Sequence, residues 1–429
     1  MLYINSSDEN FSKAFDELMG RGKVDIDQVS KIVKDLIDEI RQDGDNALAK
    51  HIDKFDKWQL SSTKDLSIDP DLMAKAYKNL DEKLKASLHL AYDRIKAYHE
   101  KQLPKSWLDF EPNGTILGQK VSAVDRAGLY IPGGKAAYPS SLLMNAIPAI
   151  VAGVEEIVVC TPTPQNEPNE LLLAALHLCG IKKAFKVGGA SAIAAMAYGT
   201  ASIPKVDVIT GPGNIFVATA KKMVFGDVNI DMIAGPSEIG ILADESANAS
   251  HIAIDLLSQA EHDEMASSIL ITPSQKLASE VKDEISKWLN KLDRKEIASR
   301  SIEERGAIIT TNSMSESIDL MNSIAPEHLE VATDNAFELL PYIKHAGAIF
   351  LGHYTPEAIG DYIAGPNHTL PTGATAKFYS PLGVENFMKK SSIISFSQKA
   401  INEVGGMAAL IAQTEGLDAH AESILTRLS

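Results

Sequence analysis

The chain has 429 residues, with 41 Lys and Arg against 57 Asp and Glu, for a formal net charge of −16. That length exceeds one small core and calls for about two to three domains, and so acidic a chain, with no basic stripe, excludes nucleic acid as a partner. Hydrophobic residues at 45% and charged residues at 23% are ordinary for a soluble enzyme, and no apolar run approaches the ~20 residues that span a bilayer.

The opening Met1-Leu2-Tyr3-Ile4-Asn5-Ser6 turns polar without a basic and apolar leader, so the expectation is a cytoplasmic protein without membrane association. The first hundred residues read as helices. Val29, Ile32, Val33, Leu36, Ile37 and Ile40 share one helical face, Lys31, Lys34, Asp35, Asp38 and Glu39 fall elsewhere, and Gly44 can end the helix.

From about Gly118 the pattern changes. Strands are predicted at 121–124, 157–160, 184–187, 206–210 and 230–233, and helices at 141–151, 170–178, after Gly188-Gly189 through Tyr198, and after Gly211-Pro212-Gly213-Asn214. Strands alternating with helices, with Gly and Pro at the joints, indicate a doubly wound α/β domain around a parallel sheet. A second α/β stretch starts near Gly235. Its predicted strands are 239–243, 269–272, 307–310 and 348–351. One helix runs from a Ser250 cap to about Glu264, a second spans 275–291, and a third covers 319–322 and continues into Ala325-Pro326-Glu327-His328. Gly352 to Gly383 is rich in Gly and Pro and reads as functional loop. The last 40-odd residues read as helical. Cys160 and Cys179 lack CxxC spacing and read as buried, reduced thiols rather than zinc thiolates.

Four places carry candidate chemistry. Gln259 and His262, three apart on a predicted helix, can reach one ion, although a hydrogen-bonded helical histidine has the same spelling. Glu327 and His328 can act as two separate proton acceptors; a helix start with an acid in its first turn would look alike. Asp361 is a candidate carboxylate ligand, and His368 sits in a Gly/Pro turn that needs no imidazole for its shape. Glu415 and His420 close the chain, where a histidine can also be surface decoration. The G-x-G-x-x-G dinucleotide fingerprint is absent. Gly133-Gly134, Gly188-Gly189 and Gly211-Pro212-Gly213 can each offer helix amides to a pyrophosphate or simply make tight turns.

Taken together, these stretches resemble the histidinol dehydrogenase family nearly end to end. The resemblance is carried by Gly44-Asp45…Ala47-Leu48, Gly128-Leu129-Tyr130-Ile131-Pro132-Gly133-Gly134, Gly211-Pro212-Gly213-Asn214, Ala234-Gly235-Pro236-Ser237-Glu238, Leu257-Ser258-Gln259-Ala260-Glu261-His262, Ala325-Pro326-Glu327-His328, Gly365 to Gly373 and Glu415-Gly416-Leu417…His420. It implies an NAD-dependent, zinc-containing enzyme. Such an enzyme oxidises L-histidinol to L-histidine through bound L-histidinaldehyde, consuming two NAD per turnover, in the last steps of histidine biosynthesis.

By the same resemblance Gln259, His262, Asp361 and His420 are the ligands of one zinc per subunit, and Glu327 and His328 the proton acceptors. Ser237, His328, Glu415 and the zinc ligands surround the substrate, and Tyr130, Ser191 and Asn214 contact the dinucleotide. Ser191 departs from the family, which commonly has Gln there. Glu415 and His420 would come from the partner of a homodimer with shared active sites. The implied fold is two Rossmann-like doubly wound domains with a helical N-terminal region and a helical C-terminal tail. The expected division is an N-terminal segment 1–22, a first α/β domain 23–128 plus 236–383 carrying most zinc and catalytic residues, a dinucleotide-binding domain 129–235, and a tail 384–429 reaching the partner. Two other readings of the residues are a zinc-dependent hydrolase of an imidazole-containing substrate, with Glu327 activating water, and a binding protein for an imidazole compound.

Overall fold

The computed structural model describes residues 1–20, 27–133 and 138–429. Gly134 and the expected boundary at 22/23 lie outside the described residues.

Two parallel sheets of the same topology organise the chain. The first has five strands, β4 (Arg126–Tyr130), β5 (Glu156–Cys160), β6 (Lys183–Phe185), β7 (Val208–Thr210) and β8 (Asn229–Ile230), in the order β6-β5-β4-β7-β8. The second is built from β9 (Glu238–Ala243), β10 (Ser267–Thr272), β11 (Ala307–Thr310), β12 (His328–Ala332) and β13 (Ala348–Leu351), with β1 (Leu2–Asn5) added at one edge, in the order β1-β11-β10-β9-β12-β13. Apart from β1, each sheet therefore starts in its middle, winds one way and then the other, as a doubly wound fold does. The strands read as near-continuous apolar runs because both faces are covered: β9 is buried from Ile239 to Ala243 and β11 throughout. β2 (Trp107–Phe110), β3 (Ile116–Ala123) and β14 (Met388–Ser395) form a separate antiparallel sheet, with Met388 opposite Ala123 and Ser395 opposite Ile116.

Several expectations are corrected here. The helices of residues 27–100 pack on the first sheet rather than the second. Met73, Leu88 and Ile95 share a core with Leu129, Leu142 and Leu176 on one face, and Val33, Ile40 and Leu48 with Val158, Ile193 and Ile209 on the other. The grouping of 23–128 with 236–383 therefore does not follow the cores, and a 128/129 boundary cuts β4. The strand placed at 121–124 is the longer β3, outside both doubly wound sheets. The chain begins with a strand and the tail opens with one, β14, before the helices Gln398–Thr414 and Asp418–Leu425. The helix expected from Ser250 to Glu264 runs only over Ala249–Ala260. Its cap is Asn248, whose side chain accepts from the Ser250 and His251 amides. The helix before the Pro326-Glu327-His328 run ends at Ile324, because Ala325 turns left-handed at φ 51°. Glu327 and His328 thus stand at a strand start, not in a helix. No helix among the described residues is long and apolar enough to cross a membrane.

Candidate active site

The left-handed turn at Ala325 and the fixed φ of Pro326 deliver Glu327 and His328 to the amino end of β12, beside the amino end of β9. Both side chains are buried. Glu327 Oε2 accepts from the Glu238 amide at 3.0 Å, and His328 Nδ1 lies 3.2 Å from the Glu238 carbonyl. A carbonyl only accepts, so Nδ1 carries the proton and Nε2 is the basic nitrogen. That Nε2 is buried with no hydrogen-bond partner. Burial pushes His328 down to about 4 against the opposing pull of Asp361, which keeps the ring neutral and able to accept a proton. Burial drives Glu327 well above the usual carboxylate range; the Glu238 amide opposes this, and the charges of Glu238, Asp361 and Glu357 add to it.

A donor group adjoins these bases. Gln259 lies in the last turn of the helix Ala249–Ala260, fully buried, and neither amide atom has a partner. His262 follows two residues past the helix and is exposed, so the pair is presented by a helix end rather than by one helix face. Asp361 comes from the short helix Glu357–Tyr362. Ligand atoms of His262, Glu357 and Asp361 lie within 4.8 Å of one another. His328 Nε2 is 3.9 Å from Asp361 Oδ1 and 4.0 Å from Glu357 Oε1, and His368 Nδ1 is 3.6 Å from Asp361 Oδ1.

Sequence reasoning missed Glu357 and Glu238. Glu357 stands one helical turn before Asp361, a spacing legible in the sequence but set in a stretch read as loop. Its carboxyl accepts from Ser258 Oγ at 3.0 Å, its amide donates to Glu330 Oε1 at 2.6 Å, and burial, followed by Asp361, pushes it up to about 8. Glu238 accepts from the Gly373 amide and is pushed up to about 7 by burial.

Imidazole, carboxylate and an unpartnered amide are nitrogen and oxygen donors suited to zinc. Buried polar atoms without partners are costly in a closed core, and both amide atoms of Gln259 are among them. Ser237 precedes β9 directly. Glu415 ends the helix Gln398–Thr414, and His420 lies in Asp418–Leu425; both are exposed and neither belongs to the donor group of this chain.

The dinucleotide candidates gather at the carboxyl ends of the first sheet, where its winding reverses between β4 and β7. Tyr130 ends β4; its hydroxyl accepts from the Gly189 amide at 3.2 Å, and burial pushes it up to about 12. Gly211 lies so close that a Cβ there would sit 2.0 Å from the Tyr130 carbonyl oxygen. A buried ion pair clamps the Gly211 backbone: the amide donates to Asp231 Oδ2 at 2.8 Å, and Lys221 Nζ donates to the carbonyl at 3.0 Å while pairing with Asp231. Asn214 caps the helix Ile215–Val224, accepting from Phe216 and Val217. Ser191 is buried, its hydroxyl 2.8 Å from His51 Nδ1.

The two sites are joined. Thr210 Oγ1 donates to Asn145 Oδ1 at 2.8 Å, Asn145 Nδ2 reaches Thr369 Oγ1 at 3.4 Å, and Asn367 Nδ2 donates to the Met144 carbonyl at 2.6 Å. The loop bearing His368 is thereby fastened to the helix Pro139–Ala152 of the first sheet.

Comparison with known proteins identifies relatives over the whole chain. A family model for histidinol dehydrogenase matches residues 19–428. The chain is 73% identical over 428 residues to histidinol dehydrogenase of Sulfurimonas denitrificans, covering 100% of both. It is 69% identical over 425 residues to that of Wolinella succinogenes, covering 99% of this chain and 98% of the relative. The crystal structure of histidinol dehydrogenase from Elizabethkingia anophelis superposes with a TM-score of 0.93 at 33% identity, covering 100% of this chain and 98% of that one. Matched by a family model over nearly its whole length and by relatives from end to end, on a fold shared with a solved member, the chain belongs to the histidinol dehydrogenase family.

Proposed function

We propose that the protein oxidises L-histidinol to L-histidine with two successive NAD molecules, passing through a bound aldehyde. A primary alcohol loses four electrons on the way to a carboxylate, so two hydrides leave, one to each NAD. His328 takes the hydroxyl proton at Nε2 as the first hydride departs and releases it to solvent before the second oxidation. Glu327 then deprotonates the water that adds to the aldehyde, and the neutral His328 takes the hydrate proton as the second hydride leaves. The observation that carries this reading is the neutral His328, with a free, buried Nε2 beside a second base.

Gln259, His262 and Asp361 would hold a zinc ion, with Glu357 against them and His420 of the partner subunit completing the set. When bound, zinc supplies a fixed Lewis acid that anchors the nitrogens of the substrate. The chain's own residues enclose the reacting end and hold the bases in place, a positioning effect that accounts for several kcal/mol of barrier. A homodimer fits the tail: Val404, Met407, Leu410 and Ile411 expose an apolar stripe along the helix Gln398–Thr414. Tyr130, Asn214 and Ser191 are assigned to NAD. The hydrolase alternative draws no support from the family match.

The test is stoichiometric. Zinc-replete protein mixed with L-histidinol and excess NAD should yield two reduced NAD per histidinol. One per histidinol would mean that the aldehyde escapes and would remove Glu327 from its role. None would sink the proposal.

A further inference from the structure

Ser191 occupies the first turn of the helix Gly189–Tyr198, whose Gly189 amide is tied to Tyr130. Its hydroxyl is not free. It lies 2.8 Å from Nδ1 of His51, a residue of the helix Asp45–Phe55, and His51 Nε2 lies 2.8 Å from Glu39 Oε2 in the helix Asp27–Asp43. Ser191 and His51 are both buried, while Glu39 reaches solvent. Two helices outside the sheet thus reach its carboxyl edge through a three-residue chain of hydrogen bonds.

The proton positions follow from the donors available. The Glu39 carboxylate only accepts, so His51 Nε2 carries a hydrogen. Nδ1 and the Ser191 hydroxyl share the second hydrogen bond.

We propose that His51, oriented by Glu39, is a positioning residue of the dinucleotide site: it fixes the Ser191 hydroxyl and with it the first turn of the Gly189–Tyr198 helix. This inference rests on the reading that NAD binds at this edge. It assigns to His51 and Ser191 together the role that a single longer amide side chain commonly fills in the family.

The experiment compares His51→Phe, His51→Gln and Ser191→Ala, with Tyr130→Phe as a reference and thermal melts to confirm folding. Gln can accept from Ser191 and donate to Glu39, so it preserves both bonds; Phe preserves only bulk. His51→Phe and Ser191→Ala should raise the KM for NAD about five- to tenfold, roughly what one buried hydrogen bond is worth, with kcat and the KM for histidinol within about twofold of wild type; His51→Gln should restore the NAD value. Folded His51→Phe with an unchanged KM for NAD would overturn the inference, especially beside a Tyr130→Phe that raises it. An equal loss in His51→Gln and His51→Phe, or a matching rise in the KM for histidinol, would overturn it too. If the wild-type protein reduced no NAD at all, the functional reading would fail first and take the inference with it.

Discussion

Glu327 and His328 are both held by one residue, Glu238: its amide donates to the carboxylate of the first at 3.0 Å and its carbonyl faces Nδ1 of the second at 3.2 Å. The two candidate bases are registered against the same residue of the neighbouring strand. Their spacing is therefore set by the sheet, not by side-chain packing.

That arrangement predicts separable defects. His328→Asn should slow histidinol oxidation by at least about a hundredfold. Glu327→Gln should spare the first hydride and slow aldehyde oxidation by a similar factor. Single-turnover measurements with each substrate decide the point; near-normal alcohol oxidation by His328→Asn would end the assignment.

Proton affinity gives a second expectation. Glu327 works as a base only when ionised, and burial raises its proton affinity well above that of an ordinary glutamate. Aldehyde oxidation should therefore decline with falling pH sooner than an exposed carboxylate would allow. His328, pushed down to about 4, stays neutral far below that point. Profiles of kcat/KM against pH for the aldehyde, wild type against Glu327→Gln, should show this acid limb only in wild type.

Removing metal offers a third check. A chelator should abolish turnover and zinc should restore it, while Asp361→Asn should bind less zinc by elemental analysis and lose most activity. Full activity in verified metal-free protein would eliminate the zinc assignment of Gln259, His262 and Asp361.

Glu238 makes a prediction about stability. A carboxyl raised from 4.5 to about 7 on folding contributes stability fully below pH 4.5, and that contribution is lost as pH rises through about 7. The change amounts to at most about 3 kcal/mol. Glu238→Gln keeps an acceptor for the Gly373 amide and should flatten the dependence of urea midpoints between pH 5 and 8. An unchanged slope in the variant would assign the dependence to other groups.

The Lys221–Asp231 pair should be intolerant of half-removal. Asp231→Asn leaves a buried ammonium beside Gly211 and should cost about 3 to 5 kcal/mol. A double change to Met and Leu should recover much of that by denaturant titration, yet raise the KM for NAD, because the Gly211 backbone loses its clamp.

Much of this was legible in the sequence, and the failures share causes. The helix Glu170–Leu178 and strands β11 and β13 match their expected ranges. β14 was not seen because Met388-Lys389-Lys390-Ser391-Ser392 lacks an apolar alternation and its partner, β3, lies in a remote part of the chain. The stripe of Val33, Ile37 and Ile40 announced a packed helix but could not say which sheet it packs against, and hence the misplaced grouping of the first hundred residues. His262 was put on a helix because the apolar face of Ile252, Leu256, Leu257 and Ala260 was carried on to about Glu264; the helix stops at Ala260. The site residues came from resemblance more than from spacing, since His262, His328, Glu357 and Asp361 meet only through tertiary structure.

The edge strand β1 has a consequence for how the molecule is made. Asn5 and Thr310, joined side chain to side chain at 2.9 Å, are 305 residues apart. At about 5 to 20 residues per second of synthesis, β1 waits roughly 15 to 60 s for its partner. The first sheet, whose strands all lie between Arg126 and Ile230, can close during that interval. Assembly of the second sheet, and with it the imidazole of β12 and the Glu327 carboxylate before it, is a late event that pairs β1 with a strand made 305 residues later.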